Sequence, residues 1–167
     1  LRSGWFYHES QQPKPLVDLL DIYLASVGRG TPLLLNVPPT KEGLLAEVDV
    51  QRLQEFHQVI SSLYDQDLAA EAEVTSSSER AGYPASNLTD GQRASFWAPN
   101  TEETSYVLEI DLGRSCTFNL LEIGEPIAKG QRVAGFILEV KKEDGWTVFA
   151  RGQTIGYRRL LWAAFSC

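Results

Sequence analysis

The chain has 167 residues, of which 43% are hydrophobic, and its formal net charge is −7. This hydrophobic content supports packed cores rather than disorder. The acidic balance argues against nucleic acid and anionic membrane surfaces as partners, and no apolar run approaches the ~20 residues that span a bilayer.

An aromatic segment, Gly4-Trp5-Phe6-Tyr7-His8, opens the chain. Three adjacent aromatic rings and an imidazole suit either a wall on which a sugar stacks or a corner of the core. The residues alone favour the core corner.

Two amphipathic helices with a short apolar run between them are predicted next. Apolar residues recur every three or four positions over Leu16–Val27 and again from about Glu47 to Tyr64. The run Leu33–Val37 predicts a buried strand, which Pro38-Pro39 ends because proline has no N–H to donate. Helix, strand and helix with short connections are typical of an α/β fold. The other strands of its sheet would then come from sequence before Leu1.

Asn36 is a candidate site residue because it lies near the carboxyl end of the predicted strand. Active sites of α/β folds are built at those strand ends. The alternative is that Asn36 only hydrogen-bonds the local turn, and the local sequence favours this alternative.

The second part of the chain, residues 69–167, has the period-two pattern of β-strands. Apolar and polar residues alternate over Tyr106–Leu112 and Phe136–Lys141, and Glu143-Asp144-Gly145 is a hairpin turn signal. Short, evenly spaced strands of this kind predict an antiparallel sandwich or barrel.

Two residues of this part are candidate modification or metal sites. Asn87 begins the N-glycosylation acceptor Asn87-Leu88-Thr89. Asp90 precedes Gly91 in a polar turn, where it suits either an Asx turn, which is favoured, or a ligand of a structural calcium ion. Cys116 and Cys167 make neither a disulfide framework nor a metal-ligand spacing. No cofactor is expected to be required.

The first part of the chain resembles the end of the catalytic domain of glycoside hydrolase family 29, the α-L-fucosidases. The resemblance rests on four stretches: Gly4–His8, Leu19–Gly28, Leu33–Gly43 and Val50–Phe56. The family has an Arg-Pro pair before the aromatic segment, whereas this chain has Arg2-Ser3. The absence of Met and the start at Leu1 also suggest a piece of a longer protein.

The second part resembles the discoidin-like, or coagulation factor 5/8 type C, domain that one branch of that family carries. The matching stretches are Tyr83–Gly91, Phe96–Ala98, Leu108–Gly113, Gly130–Val133 and Thr154–Leu161. The resemblance implies a two-part α+β chain. Residues 1–68 would be the C-terminal remnant of a (β/α)8 barrel. Residues 69–167 would be an antiparallel β-sandwich of the galactose-binding, discoidin-like jelly-roll type, incomplete at its C-terminus.

The family implies a protein that hydrolyses terminal α-L-fucosyl residues of glycans by a retaining mechanism with two carboxyl groups. Both lie upstream in the family and Glu9 matches neither, so this piece alone should be inactive. Trp5, His8 and Asn36 are then the candidate substrate-binding residues. The sequon at Asn87 and the likeness to secreted plant and bacterial members imply an extracellular location, the apoplast in a plant. The alternative is a non-catalytic module that binds a carbohydrate or a protein through loop aromatics such as Trp97.

Overall fold

The computed structural model describes residues 1–100 and 103–166 and divides the chain into two compact units, Leu1–Asp65 and Gln66–Cys167. Cys167 itself lies outside the described residues. The sequence-based boundary between residues 68 and 69, and the assignment of each side to a domain, stay predictions.

Two α-helices form the framework of the first unit: α1 is Leu16–Ser26, followed by the 3-10 turn Val27–Arg29, and α2 is Glu47–Ser62. Both predicted helices are therefore confirmed. The acidic residues Glu47 and Asp49 lie in the first turn of α2, where negative charge suits the helix dipole. Among the described residues, no helix has the length and apolar content needed to cross a membrane.

The core of the first unit lies between the two helices. Leu19 and Tyr23 of α1 and Phe56 of α2 are buried. The rings of Tyr23 and Phe56 meet edge to face, with 6.2 Å between their centroids. The hydroxyl of Tyr23 lies 3.3 Å from that of Tyr64, so a hydrogen bond between the two phenols adjoins this aromatic contact.

The predicted buried strand at residues 33–37 is wrong for this chain. Residues 31–40 form no strand in the structure, and the side chain of Leu34 is 91% exposed. A strand requires a neighbour to exchange N–H and C=O groups, and the described residues of this unit contain no other strand. The carbonyl of Asn36 is instead bound by the Leu1 ammonium at 2.7 Å.

The second unit contains six strands that pair only in antiparallel fashion within residues 66–100 and 103–166, as the sequence predicts. The pairs are β1–β2, β3–β6 and β4–β5. The strands are β1 Glu73–Ser76, β2 Leu108–Asp111, β3 Thr117–Ile123, β4 Phe136–Lys142, β5 Gly145–Gly152 and β6 Arg159–Ser166.

The residues of the turn determine how β4 and β5 are connected. Its turn is formed at Glu143-Asp144, and Gly145 has a φ of 116°, which side chains with a Cβ rarely adopt. The register shifts between Leu138 and Glu139, which marks a β-bulge. The hairpin predicted from this turn is confirmed. Val140 of β4 and Leu160 of β6 are among the buried residues of the unit.

The alternation over Tyr106–Leu112 is only partly expressed as burial. All four residues of β2 are exposed, including Leu108 and Ile110. Each of the three ladders has two strands, so β2 pairs with β1 alone. The apolar side of β2 therefore remains open to solvent in this structure.

Candidate functional site

The aromatic segment at the start of the chain is displayed on the surface of the first unit. Trp5 is 68% and Phe6 is 74% exposed, and His8 is exposed too. These rings therefore do not form the core corner that the residues alone favour. An exposed indole next to an exposed imidazole offers a stacking surface and a polar group to a ligand.

The buried side chain of Arg2 holds the backbone of this segment in place. It is 6% exposed, and its Nε donates to both carboxylate oxygens of Asp49, at 3.1 and 2.9 Å. Its Nη1 donates to the carbonyls of His8, at 3.1 Å, and of Gln11. The guanidinium also lies 4.8 Å from the ring centroid of Tyr7. One buried cation thus fixes the backbone on both sides of the exposed aromatic rings.

Asn36 is next to this segment, as a candidate rim residue would be. Its Nδ2 donates to the carbonyl of Trp5 at 2.9 Å. Burial, with a contribution from nearby Lys14, lowers the pKa of the Leu1 ammonium that binds the Asn36 carbonyl. The structure therefore brings Asn36 together with the backbone of Trp5, and the imidazole of His8 is exposed on the same segment.

The sequon residue Asn87 lies in a 3-10 turn, Ala85–Leu88. Its side-chain Nδ2 donates to the carbonyl of Phe96 at 2.9 Å, and the residue is half-buried. The amide therefore ties the turn to the loop that follows it. The glycosylation itself stays a prediction.

Asp90 adopts the Asx turn that the sequence favours. Its Oδ1 accepts the backbone N–H of Gln92 at 2.8 Å. Hydrogen bonds from the Ser95 side chain and from the Gln92 backbone hold the pKa of this exposed carboxyl below its usual value. Calcium needs six to eight oxygen ligands, and the described residues contain no group of three or more His, Cys, Asp or Glu positioned for a metal. Asp90 supplies a single carboxylate, so the calcium assignment stays a prediction.

Trp97, the loop aromatic considered for sugar binding, is engaged inside the second unit. Its Nε1 donates to the carbonyl of Ser78 at 3.0 Å, and its ring meets that of Tyr106 edge to face at 5.8 Å. Trp97 is half-buried. These contacts give it a structural role in the loop.

Sequence reasoning missed a buried carboxylate, Glu125, which is 9% exposed. Its Oε1 accepts the backbone N–H groups of Arg132 and Val133 at 2.8 and 2.9 Å, and its Oε2 accepts that of Gly156 at 2.9 Å. Burial alone would raise the pKa of Glu125, but hydrogen bonds from these amides and from that of Ile155 outweigh it, and the pKa is lowered. The sequence did contain one indication. The stretches Gly130–Val133 and Thr154–Leu161, which resemble the discoidin-like domain, include the backbone groups that Glu125 binds.

Comparisons with known proteins cover nearly the whole chain. The family model of the F5/8 type C domain matches residues 73–159. Alpha-L-fucosidase 1 of Arabidopsis thaliana is 42% identical over 167 residues, which is 96% of this chain and 33% of the relative. The chain thus spans about a third of the length of the curated relatives it matches.

Two solved structures match with high similarity. SpGH29 is 45% identical with a TM-score of 0.92, covering 99% of this chain and 37% of that one. A glycoside hydrolase family 29 fucosidase of Ruminococcus gnavus, solved in complex with fucose, is 33% identical with a TM-score of 0.87, covering 99% and 34%. The predicted resemblance and the discoidin-like β-sandwich are confirmed. The barrel remnant is not, and it stays a prediction.

Proposed function

Since the chain belongs to the F5/8 type C domain family through residues 73–159 and is similar to α-L-fucosidases over nearly its whole length, we propose that it is the C-terminal part of a family 29 α-L-fucosidase. The parent enzyme hydrolyses terminal α-L-fucosyl residues of glycans. The observation that carries the proposal is the alignment of 99% of this chain with SpGH29.

The reaction is a retaining hydrolysis in which the catalytic carboxyl groups come from outside this chain. One carboxylate attacks the anomeric carbon of fucose, and a second carboxylic acid protonates the leaving oxygen. Glu9, the acidic residue next to the aromatic segment, is exposed and lies 3.8 Å from the Lys41 ammonium. A solvated surface ion pair of this kind has no role in the proposed chemistry.

The first unit contributes to the rim of the fucose pocket. Trp5 offers its indole to the apolar face of the deoxyhexose, and His8 offers a polar contact. Asn36 supports this role by holding the Trp5 carbonyl. Residues 33–37 become the closing strand of the (β/α)8 barrel once earlier strands supply partners. The 91% exposure of the Leu34 side chain supports that role, because it leaves this side chain open to a neighbouring element.

The same proposal includes the location of the parent enzyme, its glycosylation and its partners. The parent is secreted and works outside the cell, with a glycan attached at Asn87 and fucosylated glycans as its partners. Calcium bound through Asp90 is a second element of this proposal, supported only by the polar turn at Asp90-Gly91.

The test is reconstitution of activity. Alone, the chain should hydrolyse an aryl α-L-fucoside no faster than a buffer blank, because it lacks the catalytic carboxylates. When it is co-expressed with the part of the Arabidopsis fucosidase that precedes the matched region, turnover should appear. A Trp5→Ala variant should then raise KM, whereas Phe6→Ala, at an equally exposed neighbour, serves as the control. Turnover by the purified chain alone, or no activity in a folded complex, would overturn the proposal.

A further inference from the structure

The sequence contains two Asp-Gly pairs, Asp90-Gly91 and Asp144-Gly145. In such a pair the backbone nitrogen of the glycine can attack the side-chain carboxyl of the aspartate, because a glycine has no Cβ to hinder the approach. Every other aspartate of the chain is followed by a residue with a side chain. Asp90 and Asp144 are both exposed, so their hydrogen bonds and their place in the fold determine which of them reacts.

The carboxyl group of Asp90 is restrained by its hydrogen bonds. Its Oδ1 accepts the N–H of Gln92 at 2.8 Å, one residue beyond the nitrogen that would attack it. The form that reacts is the neutral acid, since water leaves a carboxyl group more easily than oxide does. Hydrogen bonds from the Ser95 side chain and the Gln92 backbone lower the pKa of Asp90, so fewer molecules carry the neutral acid at a given pH. Ring closure at Asp90 therefore requires that these hydrogen bonds be released first.

The carboxyl group of Asp144 lacks these restraints. Within the described residues it takes part in no hydrogen bond and no ion pair. Lys142 and Gly145 are the last pair of the β4–β5 ladder, and Asp144 lies beyond that pair in the turn. The end of a ladder opens more readily than its interior. The nitrogen of Gly145 therefore becomes free to approach a side chain that nothing holds elsewhere.

We propose that Asp144 is a site of spontaneous isomerisation to isoaspartate and that Asp90 is protected from this modification. The nitrogen of Gly145 forms a bond to Cγ of Asp144 and loses its proton, and a carboxyl oxygen leaves as water, which gives a five-membered succinimide. Water then adds to one of the two ring carbonyls, whose bond to the nitrogen breaks. Opening at Cγ returns aspartate, whereas opening at the α-carbonyl gives isoaspartate. One water is lost and one is regained, so no oxidant or reductant is needed.

Isomerisation lengthens the turn between β4 and β5. The main chain then runs through Cβ and Cγ of Asp144, which adds one methylene to the backbone between Lys142 and Gly145, and the former α-carboxyl becomes the free carboxylate. The pair next to the turn is Lys141 with Trp146, and the Lys141 ammonium lies 5.9 Å from the centroid of the indole ring. The modification should therefore weaken these pairs first, and the fluorescence of Trp146 should change with it.

The intact 167-residue chain should be incubated in mildly acidic buffer made with heavy-oxygen water and then digested with trypsin in ordinary water. Trypsin cuts after Lys and Arg, so Asp144 falls in the peptide Glu143–Arg151 and Asp90 in the peptide Ala81–Arg93. Ring opening introduces one heavy oxygen, which mass spectrometry measures, and electron-transfer fragmentation identifies isoaspartate. Label should enter at Asp144 about fivefold faster than at Asp90, or more, which is the factor for releasing one hydrogen bond.

Three variants test the cause of this difference. Asp144→Glu should take up no label in the same time, because its longer side chain would have to close a six-membered ring, which is far slower. Asp144→Asn should react faster than the unchanged chain, with loss of ammonia instead of water. Ser95→Ala removes the hydroxyl that hydrogen-bonds Asp90, so it should speed labelling at Asp90 and leave Asp144 unchanged. In denaturant, the two aspartates should be labelled at similar rates.

Four results would overturn the proposal. Labelling of Asp90 at the rate of Asp144 or faster in the folded chain would show that the hydrogen bonds do not protect it. A difference that persists in denaturant would trace to the flanking residues rather than to the fold. Absence of label at Asp144, or a stable Asp144→Asn variant, would show that the hairpin prevents ring closure. The proposal is independent of the fucosidase function, so each can fail without the other.

Discussion

At the scale of single residues, two buried charged groups have backbone groups among their hydrogen-bond partners. Arg2 adds two backbone carbonyls to its contact with Asp49, and Glu125 receives four backbone amides. Neither arrangement could be predicted from the sequence, because the bonded groups lie up to 47 residues apart and backbone partners leave no residue-type signature. The Asx turn at Asp90, which is local, was predictable.

Replacing Glu125 with Gln should destabilise the second unit. The Gln amide would face backbone N–H groups with its own NH₂, so at least one buried donor would lose its acceptor, at about 1–3 kcal/mol. Denaturant unfolding followed by tryptophan fluorescence would measure the loss. Glu143→Gln, at an exposed carboxylate in the hairpin turn, is the matched control and should stay within about 0.5 kcal/mol.

The same carboxylate should make stability depend on pH. The pKa of Glu125 is lower in the folded chain than in the unfolded one, where it is about 4.3. Its contribution is therefore fully present above the unfolded value and is lost as pH falls through the folded value. The stability difference between the unchanged chain and Glu125→Gln should shrink as pH falls below about 5. A difference that stayed constant down to strong acid would contradict this account.

At the scale of elements, the features encoded locally are the ones the sequence predicts. Helices α1 and α2 follow from apolar spacing within each segment, and the β4–β5 hairpin follows from its turn residues. The strand at residues 33–37 fails because a strand is defined by a partner, which a local apolar run does not supply. The pairing of β3 with β6 joins segments that are distant in the sequence, such as Leu121 and Leu161. No local sequence pattern predicts which of the strands pair in this way.

Helix α2 is tied to the start of the chain by Asp49, so Asp49→Asn should weaken the whole first unit. The change leaves the buried Arg2 cation without its counter-charge, which costs about 3–5 kcal/mol. Far-UV circular dichroism during denaturant unfolding would report it, because both described α-helices lie in this unit. Glu47→Gln, in the same helical turn but exposed, should change the midpoint little. Equal midpoints for the two variants would contradict a stabilising role for the buried ion pair.

At the scale of the whole molecule, the sequence predicts the division into a helical part and an antiparallel β part, and the comparisons confirm the β-sandwich. It does not predict how much apolar surface stays open. Trp5, Phe6, Leu34 and Leu44 are all largely exposed in the first unit. Periodicity identifies which face is apolar, but whether that face is covered depends on chain that is not local to it.

This open surface should make the chain self-associate at high concentration. Leu34→Asp should reduce self-association, because it places a charge at the most exposed of these leucines without disturbing a packed contact. Sedimentation analysis would measure the change. Gln54→Asp adds the same charge at an exposed polar position of α2 and should have a smaller effect. If both variants behave alike, net charge rather than the Leu34 surface controls association.

The hydrogen bond from Asn87 to Phe96 bears on the glycan that we propose at this residue. A glycan on Nδ2 replaces one of the two amide hydrogens, and the other still suffices for the bond to the Phe96 carbonyl. The hydrogen bond is therefore compatible with the proposed glycan, but in the folded turn the Asn87 side chain is half-buried. If the proposed glycan is attached, we expect attachment before this turn has folded, and variants that fold faster should then carry the glycan on a smaller fraction of chains.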